Sequence, residues 1–157
     1  MEDRRRISEE GFTYVRYRGK NTVRDRTLRN TLREIVSGKV FLDEPMSRHT
    51  SMRVGGPADA LVFPESPDAL CRIFKLLQHL RIPFITIGNG TNLIVKDGGY
   101  RGAVISLKDI KSIRLAERGT AQAALYADAG IALSEIVLLA AEKSLTGMEF
   151  CAGIPGT

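Results

Sequence analysis

The chain has 157 residues, 43% apolar and 26% charged, with a net charge of +5; that is ordinary for a globular domain and enough to bury roughly 70% of its unfolded surface. No apolar run approaches the ~18 residues of a membrane span. The basic excess sits at one end: residues 1–40 hold 11 Lys+Arg against 6 Asp+Glu, and the remainder holds 12 of each.

Residues 1–20 read as a basic, solvated and disordered extension, with "DRRR" and "RYRGK". A nucleic-acid arm is the competing reading; no groove-reading motif follows, so no nucleic-acid partner is expected. Residues 21–40 form an N-terminal helix on the spacing of Val23, Leu28, Leu32, Ile35 and Val36, with Gly38 as its stop. Residues 41–58 are turn-rich. Ala60–Phe63 is a short strand. Ser66-Pro67-Asp68 then opens a helix, with a capping hydroxyl, proline at the first helical position and an acid in the first turn. Pro83 ends that pattern and Phe84–Ile87 is a strand, which together predict a parallel strand pair joined by a right-handed crossover.

Next comes Gly88-Asn89-Gly90-Thr91-Asn92, an uncharged turn of small and hydrogen-bonding residues directly after a buried strand. Glycine lets a ligand approach the main chain, and consecutive N–H groups can then hold a phosphate without a lysine. An ordinary turn is the competing reading, because the spacing matches neither the dinucleotide fingerprint nor the lysine-containing phosphate loop. Under the phosphate reading, Gly90→Val should obstruct the ligand while sparing the fold.

Leu93–Val95 and Ala103–Leu107 read as strands. Ser112–Ala116 and Ala123–Ala127 flank "ERGT" as an antiparallel hairpin. Leu133, Ile136, Val137, Ala140 and Ala141 mark a third helix ending near Gly147, and the chain closes on "CAGIPGT". Cys71 and Cys151 have no motif spacing and, with no leader-like apolar stretch at the start, suggest a reducing cytoplasm. His49 and His79 are isolated, Arg53 is either a phosphate contact or a solvated cation, and no metal-ligand spacing occurs.

Four stretches in order, "DEPMSRHTSMRVGGPADALVFPES", "IPFITIGNGTNLIVKDGGYRGAVISL", "ADAGIALSEIVLLAAEKSLTGMEF" and "AGIPGT", resemble the N-terminal flavin-binding half of the UDP-N-acetylenolpyruvoylglucosamine reductase (UDP-N-acetylmuramate dehydrogenase) family. The likeness covers about residues 38–157. It implies an α+β fold of the vanillyl-alcohol-oxidase/PCMH type, with FAD between two α/β subdomains. Residues 41–107 would be the first, and 108–157 the start of the second. It also implies that Ile87, Gly88, Asn89, Gly90, Thr91, Asn92 and Leu93 form the pyrophosphate loop. Gly130 and Gly153, Ile154, Pro155, Gly156 and Thr157 would line the adenine and ribose side. Thr91 stands where the family usually has Ser, and Asn89 where a second glycine is frequent. The family carries hydride from NADPH through FAD to UDP-N-acetylglucosamine-enolpyruvate, making UDP-N-acetylmuramate for peptidoglycan. Its proton donor (Ser or Cys) and the assisting Arg and Glu lie after the "GIPG" segment. The resemblance therefore implies no catalytic residue within this chain and no activity of the chain alone. A different PCMH-type FAD oxidoreductase and a basic binding module are the alternatives. The oligomeric state is not legible.

Overall fold

The computed structural model describes residues 7–9, 12–14, 26–37, 39–119 and 122–156. Within the basic N-terminal segment, β1 (Ile7–Glu9) pairs antiparallel with β2 (Phe12–Tyr14); the rest of residues 1–20, with Val23 and Gly38, lies outside the described residues.

The central sheet has four strands: β3 (Val40–Pro45), β4 (Pro57–Val62), β5 (Phe84–Ile87) and β6 (Tyr100–Ser106), in the order β3-β4-β6-β5. β3 runs antiparallel to β4, while β4, β6 and β5 run parallel. Three expectations are corrected here. The passage 41–58 is not all turn, because β3 occupies its start; the alternation of Val40, Leu42 and Glu44 is hidden by the "DEP" turn signal. β4 and β5 are parallel but do not pair, because β6 lies between them. Sequence proximity suggests neighbours, whereas the strand buried on both faces takes the centre. Leu93–Val95 forms no strand; those residues have no regular secondary structure, with Val95 packed in the cluster on the sheet's second face.

Helices α1 (Arg26–Ile35) and α2 (Pro67–His79) cover one face. Leu28, Leu32 and Val36 meet Ile73 and Leu77 there, over Ala60, Val62, Ala103 and Ile105. Leu32, Ile73 and Leu77 are fully buried, and each such side chain contributes about 1.5–3 kcal/mol. The opposite face gathers Met46, Leu61, Phe63, Val95 and Val104. A register shift between Ala58 and Ala60 rephases β4, so Ala58 joins this second face despite sharing parity with Ala60. The neighbouring Asp59, also buried, is met by Arg101 Nη1 at 2.8 Å. The hydroxyl of Tyr100, at the start of β6, is buried with no hydrogen-bond partner.

Ser66 caps α2 as the sequence predicts: its Oγ accepts from Ala69 N at 3.2 Å, and Pro67 is the first helical residue. Left-handed residues follow each helix: Ser37 (φ 50°), Arg81 (φ 53°) and Ser144 (φ 54°), with Gly147 at φ 97°. After α2, Arg81 N donates to Gln78 O and Ile82 N to Leu77 O, the paired bonds that close a helix through a left-handed residue. β7 (Ile113–Arg118) and β8 (Ala123–Ala127) form the expected antiparallel hairpin. α3 (Leu133–Glu142) follows and precedes a single 3-10 turn at Glu149–Cys151. Among the described residues, no helix is long and apolar enough to cross a membrane.

Candidate functional site: a glycine loop lining a cleft

β5 ends at Ile87, whose carbonyl takes one last ladder bond from Leu107 N at 2.9 Å. The chain then turns through Gly88–Asn92 at the C-terminal edge of the parallel strands, where open α/β sheets present ligand sites. The turn is braced from behind by the 46–54 strap. Ser51 N donates to Gly90 O at 3.2 Å, and Ser51 Oγ donates to Thr91 O at 3.0 Å. Gly90 has φ 68°, and a Cβ there would overlap the His49 carbonyl oxygen. The glycine is therefore required by the strap as much as by a ligand. This corrects the expectation that Gly90→Val would spare the fold.

Two of the loop's carbonyls, those of Gly90 and Thr91, are engaged by Ser51. Among the described residues, no protein acceptor takes the N–H groups of Gly88 through Leu93. Asn89 and Asn92 are exposed and Gly88, Thr91 and Leu93 half-buried; consecutive N–H groups without protein acceptors can form a nest for an anion.

In front of the loop lies a cleft of about 450 Å³. Thr86–Leu93 form one wall; Leu133 and Ile136 of α3, with Ile154, Pro155 and Gly156, form the other. Leu133 N donates to Gly156 O at 3.1 Å, which ties the start of α3 to the C-terminal turn. Among the described residues, no charged side chain lines this cleft; its polar side chains are those of Thr86, Asn89, Thr91 and Asn92. A second cavity of about 270 Å³ lies beside the strap and shares Ile87, Gly88 and Asn89 with the first. Its walls add Arg48, His49, Thr50 and Ser51 of the strap, with Phe63, Ser106 and Lys108. Lys108 Nζ stands 4.5 Å from the Phe63 ring centroid, and His49 Nε2 is 3.0 Å from Glu44 Oε1.

Of the residues singled out in the sequence, Ile87, Gly88, Asn89, Gly90, Thr91, Asn92, Leu93, Ile154, Pro155 and Gly156 thus meet around one cleft. Gly130 does not line it. Its N–H bonds Ile110 O at 3.1 Å, and a Cβ would overlap the Leu107 and Ile110 carbonyls, so its place is one of close backbone packing. Gly153 (φ 82°) precedes the lining segment, and Thr157 lies outside the described residues. Arg53 is exposed and lines neither cavity, and His79 sits in the last turn of α2. Cys71 is exposed, Cys151 is buried, both are free thiols, and no metal-ligating cluster occurs among the described residues. Sequence reading missed Ser51, Leu133 and Ile136. Leu133 and Ile136 read as core positions of an amphipathic helix, and nothing local marks Ser51.

Residues 58–157 match the FAD binding domain family. The chain is 48% identical over 130 residues to a UDP-N-acetylenolpyruvoylglucosamine reductase of Syntrophus aciditrophicus, covering 83% of this chain and 42% of that protein. It is 46% identical over 127 residues to the enzyme of that name from Caldanaerobacter subterraneus, covering 80% of this chain and 40% of that protein. The chain thus spans about two fifths of the length of these curated relatives. Among solved structures, UDP-N-acetylenolpyruvylglucosamine reductase (MurB) from Thermus caldophilus superposes with a TM-score of 0.56 at 30% identity, over 74% of this chain and 37% of that one. p-Cresol methylhydroxylase superposes with a TM-score of 0.52 at 16% identity, over 74% of this chain and 24% of that one, a likeness of fold. The α+β, PCMH-type fold and the loop-bearing half of the chain agree with a single assignment: the chain belongs to the family of FAD-binding domains.

Proposed function

We propose that this chain is the FAD-binding part of an NADPH-dependent reductase that converts UDP-N-acetylglucosamine-enolpyruvate to UDP-N-acetylmuramate in peptidoglycan synthesis. The observation that carries the reading is the row of N–H groups from Gly88 to Leu93 without protein acceptors, facing a cleft closed by the Ile154–Gly156 turn. The relatives, both UDP-N-acetylenolpyruvoylglucosamine reductases, supply the reaction class.

The residues present fit FAD. Its diphosphate needs several donors at one point, and the loop offers them without a cation of its own. Ile87, Leu93, Leu133, Ile136 and Ile154 supply apolar surface for the flat ring systems on either side. When bound, FAD supplies the hydride relay between NADPH and the enolpyruvyl double bond. The chain's own residues bind and orient. Main-chain amides neutralise the diphosphate, and α3 with the 154–156 turn forms the facing wall. The resemblance places the protonating groups beyond Thr157. Two free thiols suit a cytoplasmic setting.

The test is a titration of the purified chain with FAD and with riboflavin, which lacks the diphosphate. FAD is expected to bind measurably more tightly, and the chain alone should show no NADPH oxidation dependent on the sugar nucleotide. Equal affinity for the two flavins would remove the anion-loop assignment. Substrate-dependent turnover by the chain would overturn its reading as a binding part only.

A further inference from the structure

We propose that Ser51 is a positioning residue that aims the loop's amides at the bound anion. This rests on the reading of Gly88–Leu93 as the diphosphate site. A trans peptide is planar, with its C=O and the following N–H pointing in opposite directions. Ser51 N holds the Gly90 carbonyl at 3.2 Å, which turns the Thr91 N–H away from the strap. Ser51 Oγ holds the Thr91 carbonyl at 3.0 Å, which does the same to the Asn92 N–H. One residue thus fixes the direction of two successive donors.

The strap is itself held in place. Met46 N donates to Gly56 O and Ser47 N to Gly55 O. Thr50 Oγ1 closes a turn on Val54 O at 2.9 Å, beside the bond from Arg53 N to Thr50 O. The missing Cβ at Gly90 lets the His49 carbonyl come close enough for Ser51 to reach both loop carbonyls. Ser51 is solvent-exposed and belongs to neither hydrophobic cluster. Its side chain therefore has little to contribute to the core, and its two bonds both end on the loop.

The experiment compares wild type, Ser51→Ala and Ser51→Thr, reading the dissociation constants of FAD and of riboflavin from amide chemical shifts, together with the thermal midpoint. Ser51→Ala removes one of the two anchors. It should weaken FAD about threefold to tenfold, leave riboflavin unchanged, and barely move the midpoint. Ser51→Thr should restore FAD affinity. Unchanged FAD affinity in Ser51→Ala, or equal weakening of both flavins, overturns the positioning role. If wild type fails to prefer FAD over riboflavin, the anion-loop reading itself falls, and that outcome is separate from any effect of Ser51.

Discussion

Replacing Gly90 by alanine is the sharpest test of how the loop is built. Two effects add. An L-residue held at φ 68° costs about 1–2 kcal/mol relative to glycine. The new Cβ also meets the His49 carbonyl oxygen, which is main chain and has no rotamer to escape through. Relief requires the strap and loop to separate, which weakens the two Ser51 bonds at about 0.5–1.5 kcal/mol each. The sum is roughly 2–5 kcal/mol, against a typical total of about 5–15 kcal/mol. For a chain of this size the thermal midpoint should fall by roughly 5–15 °C. Gly98→Ala is the control, because no atom lies within 4 Å of its added Cβ; it should stay within about 1 kcal/mol of wild type. Urea and thermal unfolding followed by circular dichroism give both values. A Gly90→Ala protein as stable as Gly98→Ala would refute the contact between strap and loop.

Ser66→Ala should lose the α2 cap seen between Ser66 Oγ and Ala69 N; the expected loss is about 1 kcal/mol by urea titration, and Ser66→Asp should retain most of the stability. Burial pushes the Tyr100 hydroxyl up to about 12 from its ordinary 10.0. The folded state therefore holds this proton more tightly than the unfolded state. Its contribution is full below pH 10 and is lost as pH rises from 10 through 12. Tyr100→Phe removes a buried hydroxyl without a partner, so it should be at least as stable at neutral pH. It should also lose less stability than wild type between pH 10 and 12, measured by urea midpoints across that range.

What was legible in the sequence follows from locality. Ser66-Pro67 sets its own helix start within one turn, and the hairpin of β7 and β8 needs only a short connection and period-two residues. The loop residues Gly88–Asn92 stand out because their composition breaks abruptly from "FITI". Long-range arrangements were hidden. Ser51 meets Thr91 across 40 positions and Arg101 meets Asp59 across 42, and neither pairing leaves a mark in its own neighbourhood. The left-handed residues after the helices were hidden for a different reason. Glycine is the cheapest left-handed residue, yet Ser37, Arg81 and Ser144 also take that conformation where the chain must turn, against a local preference of about 1 kcal/mol. Gly130 misled: its small size serves the Leu107 and Ile110 carbonyls instead of the cleft.

The place of β6 between β4 and β5 has a consequence for how the molecule is made. β4, α2 and β5 precede β6 in the chain, so both flanking strands exist before the one that joins them. They must stand two strand spacings apart, roughly 9.5 Å, with unpaired edges facing each other across a slot one strand wide. Such edges accept any extended segment of matching pattern. The segment of matching pattern at hand is "AVIS" from β6, and in a crowded solution it arrives as readily from a neighbouring chain as from the same one. Exchange of β6 between two copies is the misassembly this topology favours. The 88–99 connection then acts as the hinge, so its length and stiffness govern how often each chain fills its own slot.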